Sequence, residues 1–231
     1  MELDGARTLV VGATGVLGGS LTRALQDAGA RLVVTGRDAD RLATLADIAE
    51  ATLEVDLLDT EAARAAVGEA ADRLGGLDLV VVAAGVAGFG AAAETPDVVV
   101  EELFAVNTLG PVAVLSAAVP QMRPGGTLVA LSAVLADAPM AGMAAYSASK
   151  AALAGYLVAL RREVRRQGVA VLDVRPPHLE TGLADRALSG TPPKLPAGHD
   201  VDDLVAHVLR GLREDARELV WDQSAHALAL R

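Results

Sequence analysis

The chain contains no cysteine, which excludes disulfides, thiol nucleophiles and cysteine-ligated zinc and makes a cytoplasmic setting the simplest expectation. Lysine is almost as scarce: Lys150 and Lys194 are the only two, in a chain whose other cations are arginines. A lysine inside a helix is therefore less readily dismissed as an incidental surface charge. Aromatic residues make up 2% of the chain, so a core must be built from Ala, Val and Leu. Positive charge is in deficit, with a formal net charge of -10, which argues against a nucleic acid or an anionic membrane as partner. No stretch reads as long and apolar enough to span a bilayer, and residues 1–7 lack the basic-then-apolar order of a signal peptide. His178, His199, His207 and His226 show no metal-ligand spacing, so no metal site is expected.

What remains is 231 residues, 52% of them hydrophobic, enough for one large α/β domain. Apolar runs at residues 7–12, 30–36, 51–55, 77–84, 127–131 and 169–174 alternate with helical patterns. A final helix near 201–212 and a short strand at 218–221 close the chain. This β-α alternation predicts a Rossmann-type doubly wound parallel sheet with helices on both faces and ligands at the C-terminal ends of the strands. Residues 182–200, loose and rich in Pro and Gly, suit a substrate lid or a plain linker.

The first strand runs into Gly12-Ala13-Thr14-Gly15-Val16-Leu17-Gly18-Gly19 and then a helix. Glycines there permit a tight turn and let the backbone approach a pyrophosphate at the helix N-terminus; the bland alternative is an ordinary strand-to-helix turn. The second strand ends at Arg37, about 20 residues beyond the glycine turn, where an arginine accommodates the 2′-phosphate of NADP and an acid would hold the ribose of NAD. NADP is therefore expected over NAD, with Asp38 reading either as contrary evidence or as a helix N-cap. Asp56 reads either as an acceptor for an adenine amino group or as a turn residue. Asn107 interrupts an apolar helix and is expected to be solvated, or to bend the helix and turn a carbonyl inward. Tyr146 and Lys150 stand four residues apart, hence on one helix face. A phenol beside an ammonium is a proton-handling pair, and the cation is expected to lower the tyrosine pKa from about 10 towards working pH. Helices 110–122 and the first half of the Tyr146 helix are apolar nearly all round, which predicts a face of each packed against a second subunit.

Taken together, GATGVLGG at 12–19, VAAG at 82–85, Val106-Asn107, ALSA at 130–133, YSASKAAL at 146–153 and RPPHLET at 175–181 resemble the short-chain dehydrogenase/reductase family across nearly the whole chain. The resemblance implies hydride transfer between NADP(H), or less readily NAD(H), and a carbonyl or alcohol carbon of a small molecule. Tyr146 would be the proton donor, Lys150 would hold the nicotinamide ribose, Asn107 would anchor a water relay, and Ser132 would steady the substrate oxygen. Gly12, Thr14, Gly15, Leu17 and Gly18 would cradle the cofactor phosphates. Arg37, Asp56 and Leu57 would face its adenosine. Ala83, Ala84, Gly85, Pro176 and Thr181, with Tyr146 and Lys150, would line the rest. A homodimer or homotetramer is implied.

The chain departs from the family pattern in its glycine spacing, in Ala83 where asparagine is usual, and in Pro177 where glycine is usual, which removes an N–H. It departs also at Ala133, the usual place of the serine, with Ser132 one residue earlier. Adjacent strand residues point to opposite faces, so Ser132 serves only if the following loop carries an inserted residue. An alternative reading is a regulatory or scaffold protein that binds the nucleotide but has lost catalysis.

Overall fold

Strand β1 (Arg7–Val11) lies third from one edge of an eight-stranded sheet in the computed structural model, which describes residues 1–231. The sheet order is β3-β2-β1-β4-β5-β6-β7-β8. Strands β2 (Arg31–Gly36), β3 (Ala51–Glu54), β4 (Leu77–Val82), β5 (Met122–Leu131), β6 (Ala170–Arg175) and β7 (Glu218–Asp222) continue it in parallel. Only β8 (Ala227–Leu230) is antiparallel, folded back on β7. Strand order reverses between β1 and β4, which opens a crevice above their C-terminal ends.

Alternation along the strands sorts the core into two layers. Leu9, Val80 and Val82 face helices α3 (Thr60–Leu74), α5 (Gly110–Ala118) and α6 (Ala144–Val164), where Val67, Leu115, Leu153 and Leu157 are buried with them. Val10, Leu79 and Val81 face helices α1 (Val16–Asp27) and α7 (Val201–Arg213), meeting Leu21, Leu25, Leu204 and Val208. Local signals set the helix ends. Asp59 accepts from Glu61 N and Ala62 N at the start of α3, and Gly75, at φ 78°, closes it in the left-handed region.

Three features differ from the sequence reading. Helix α4 (Asp97–Phe104), a π-turn at Ala105–Leu109 and α5 join end to end. The rod Asp97–Gln121, with a mean hydropathy of 1.7 over its most apolar window, is thus long and apolar enough by composition to cross a membrane, contrary to expectation. Its apolar character instead serves packing, since 56% of that window is buried inside the fold. Strand β5 begins at Met122, earlier than the apolar run suggested, because the helix has already given way to a 3-10 turn at Val119–Gln121. Strand β8 went unread because the turn before it is built from side-chain bonds: Asp222 accepts from Ser224 N, Ser224 Oγ and Ala225 N.

Candidate active site

The glycine turn sits at the switch point. Gly12 has φ 84°, and a Cβ there would stand 2.7 Å from Ala84 N; at Gly18 a Cβ would clash with Gly12 O. Side chains are thus excluded where β1, β4 and the start of α1 converge. Gly15 caps α1 in extended conformation with no side-chain bond, leaving the first-turn N–H groups of a 12-residue helix for a ligand. Such a cradle fits the pyrophosphate of a dinucleotide. Beyond β2, Arg37 and Arg41 both line the same cavity. Asp38, the contrary residue of the sequence reading, is the N-cap of the short helix α2 (Ala39–Ala43) and accepts from Arg41 N.

At the other end of the cavity, α6 brings Tyr146 and Lys150 inward, both buried. Burial pushes the Tyr146 phenol up to about 12 and pulls the Lys150 ammonium down to about 8, with the Asp173 carboxylate partly opposing the latter. The expected lowering of the tyrosine is therefore corrected: burial alone sets its shift, and the Lys150 Nζ donates instead to Leu131 O at 2.9 Å. Asn107 is wholly buried in the π-turn rather than solvated. Its Oδ1 accepts from Val86 N, and its Nδ2 donates to Val86 O and Ser149 Oγ. A Cβ at Gly85 would stand 3.2 Å from both Asn107 Oδ1 and Lys150 Nζ, so these three residues converge on one spot.

Ser132 meets a different partner from the one expected. Its hydroxyl donates to Asp173 Oδ1 at 2.5 Å, and Asp173 Oδ2 accepts from Arg175 Nε at 2.7 Å. Ala133 is the residue that joins Tyr146, Val86, Phe89 and Met143 in one apolar cluster. The short turn after Ala133, Val134–Ala136, keeps Val134 N on Pro176 O at 3.0 Å, so Ser132 remains against β6.

One cavity of about 890 Å³ connects these parts. It is lined by Gly12, Thr14, Gly15, Leu17, Gly18, Arg37, Asp56, Leu57, Ala83, Ala84, Gly85, Ser132, Tyr146, Lys150, Pro176 and Thr181. Asn107 stands behind this wall and holds it. Asp56 itself accepts from Leu58 N, as a turn residue does. Sequence reading missed Arg41, whose signal was its position four residues after Arg37; Ser149, which lies within the YSASK motif without being singled out; and Asp173, which carries no motif. It also missed Trp221, Gln223 and His226, which the β7–β8 hairpin brings to the rim. Residues 182–200 cross the cavity: Leu188 N donates to Ala87 O, Phe89 N to Ser189 O, and His199 N to His178 O, at 2.8, 2.9 and 2.8 Å.

Residues 6–191 match the short chain dehydrogenase family. The chain is 35% identical over 220 residues to an uncharacterized oxidoreductase of Myxococcus xanthus, covering 91% of this chain and 86% of that protein. Its structure is similar to that of a short chain dehydrogenase from Burkholderia cenocepacia in complex with NADP, with a TM-score of 0.82 and 29% identity over 92% of each chain. A short-chain dehydrogenase from Streptomyces avermitilis gives the same TM-score, 0.82, at 29% identity over 94% of this chain and 88% of that one. With the glycine cradle, the buried Tyr146–Lys150 pair and these likenesses in hand, the chain belongs to the short-chain dehydrogenase/reductase family of NAD(P)-dependent oxidoreductases.

Proposed function

We propose that this chain is an NADP(H)-preferring carbonyl reductase or alcohol dehydrogenase whose proton donor is Tyr146. The observation that carries the reading is a single cavity with the buried Tyr146–Lys150 pair at one end and Arg37 and Arg41 at the other. A bound nicotinamide dinucleotide supplies or accepts the hydride. Arg37 and Arg41 hold the 2′-phosphate, with Asp38 kept from that contact by its cap bond. The open N-terminus of α1 takes the pyrophosphate.

Tyr146, neutral because it is buried, donates its proton to the carbonyl oxygen in reduction and takes it back in oxidation. Lys150 holds the nicotinamide ribose and restores the proton. Asn107 fixes the loop after β4 and, through its main chain at the π-turn, anchors water on the way to Lys150. Ser132 has no place at the substrate oxygen while its hydroxyl is bonded to Asp173. The apolar cluster of Val86, Phe89, Ala133 and Met143 suits a small, weakly polar substrate. Residues 182–200 act as its lid.

The exposed apolar side chains Val98, Leu109 and Val158 lie on the α4–α5 rod and α6, and support a homo-oligomer formed on that face. A cytoplasmic setting belongs to the same reading. Tyr146→Phe tests it: turnover of NADPH with aldehydes and ketones should fall by at least about 10², the contribution of a positioned acid, while NADPH binding is retained. Full activity in Tyr146→Phe would remove the phenol from the mechanism.

A further inference from the structure

Asp173 is a buried carboxylate for which the mechanism above has no use. Its side chain is inaccessible to water. Along β6, Val171 packs in the layer beneath α6 and Leu172 in the opposite layer, so Asp173 turns back towards α6. It pairs in register with Ala130, another residue of the α6 layer, and lies one strand from the end of β5 where Lys150 docks. Lys150 reaches into that layer from the same helix face as Leu153 and Leu157. The two charges therefore share one layer between sheet and helix, Lys150 at its edge on the cavity and Asp173 closed off from water.

A short bonded path also joins them. Lys150 Nζ donates to Leu131 O, and the next residue, Ser132, donates its hydroxyl to Asp173. Asp173 is held from behind by Arg175, whose guanidinium also donates to Asp137 and Glu218. We propose that Asp173 is the counter-ion of Lys150, a positioning residue that keeps the ammonium charged and seated at the end of β5, through Ser132 and across the shared layer.

The charges around this compartment come from every element packed on it. Arg161, Lys150 and the phenol of Tyr146 stand on α6, Arg175 on β6, Glu218 on β7, and Asp137 follows β5. Arg161 and Arg175 also attend Glu218 and Asp137, and Arg175 pairs directly with Asp173 at 2.7 Å; Asp173 is the anion that acts on Lys150. Burial raises the Asp173 carboxyl, while the bonds from Ser132 and Arg175 work to keep it ionised. The arrangement compensates for desolvation of the ammonium, which would otherwise shed its proton within the working pH range.

The inference rests on the reading of Tyr146 and Lys150 as the catalytic pair, but its test does not need activity. Lys150 and Lys194 are the only lysines, and Lys194 is exposed. Lysine labelled with carbon-13 at Cε therefore gives two resonances, of which the buried one can be titrated in the full-length protein. In wild type the Lys150 signal should titrate near 8. Asp173→Asn, which keeps an acceptor for Ser132 and removes the charge, should move it down by about one pH unit. Arg175→Gln, which unmasks Asp173, should move it up.

An unmoved Lys150 signal in Asp173→Asn, or a downward or absent shift in Arg175→Gln, overturns the proposal. The second variant decides the question should the first not fold. In an active enzyme, the alkaline limb of the kcat profile should follow the same shifts. A wild type that oxidises no NADPH would overturn the catalytic reading, whereas the lysine signal alone judges the part given to Asp173.

Discussion

Asn107 grips both polar groups of Val86: its Oδ1 accepts from Val86 N and its Nδ2 donates to Val86 O, each at 2.9 Å. The main chain just after β4 is thereby tied to the π-turn, and the third bond, to Ser149 Oγ, ties both to α6 one residue before Lys150. A single buried amide thus brings the end of β4, the π-turn and α6 into register.

Replacing Asn107 by alanine would strand the buried Val86 N–H and C=O without partners. Each such group costs about 1–3 kcal/mol. Asn107→Ala should therefore lose on the order of 2–6 kcal/mol of stability, read as a drop in the urea midpoint, and should lose turnover as well. A midpoint equal to that of wild type would mean the clamp contributes nothing.

Cofactor choice is expected to lie in two arginines. Removing a charge-assisted contact to the 2′-phosphate should weaken NADPH binding by on the order of 10- to 100-fold. Arg37→Ala and Arg41→Ala should each do this and leave NADH binding within a few-fold. Fluorescence titration of the two reduced cofactors reads the ratio, and an equal loss for both would shift the recognition elsewhere.

For Ser132, bonded to Asp173, the expected effect of alanine is modest. Ser132→Ala should keep kcat within about tenfold of wild type, whereas loss of an oxyanion donor costs about 10²–10³. Steady-state assays with NADPH and a reactive aldehyde distinguish the two, and the larger loss would return Ser132 to the substrate oxygen.

Stability should depend on pH through Lys150 and Tyr146. The Lys150 pKa falls from 10.5 to about 8 on folding, so between those values the unfolded chain binds more protons and stability rises with pH. Tyr146 rises from 10.0 to about 12, so above 10.0 the unfolded chain loses a proton that the folded one keeps, and stability falls. Denaturation of wild type and Lys150→Met from pH 7 to 10 should show the rising limb only in wild type. Parallel curves would indicate that burial leaves the ammonium untouched.

Periodicity and punctuation in the sequence make most of this fold legible. Fully apolar runs between helical patterns imply strands covered on both faces, and a glycine turn after the first strand implies a ligand cradle, because glycine lets the backbone there approach a ligand closely. The spacing of Tyr146 and Lys150 sufficed to place them together, since helix geometry is local. Strand β8 lay outside that reach, because its alternating Ala and Leu acquire meaning only once β7 provides an edge to pair with.

The sequence by itself determined the parallel α/β sheet, the glycine cradle and the proton-handling pair, all of them consequences of residue type and near spacing. Tertiary structure alone decided that Ser132 turns to Asp173 and that the Lys150 ammonium docks on Leu131 O at the end of β5. Each of those outcomes depends on which residues distant in the chain share a buried layer. Desolvation there sets the charges, and no local pattern encodes it.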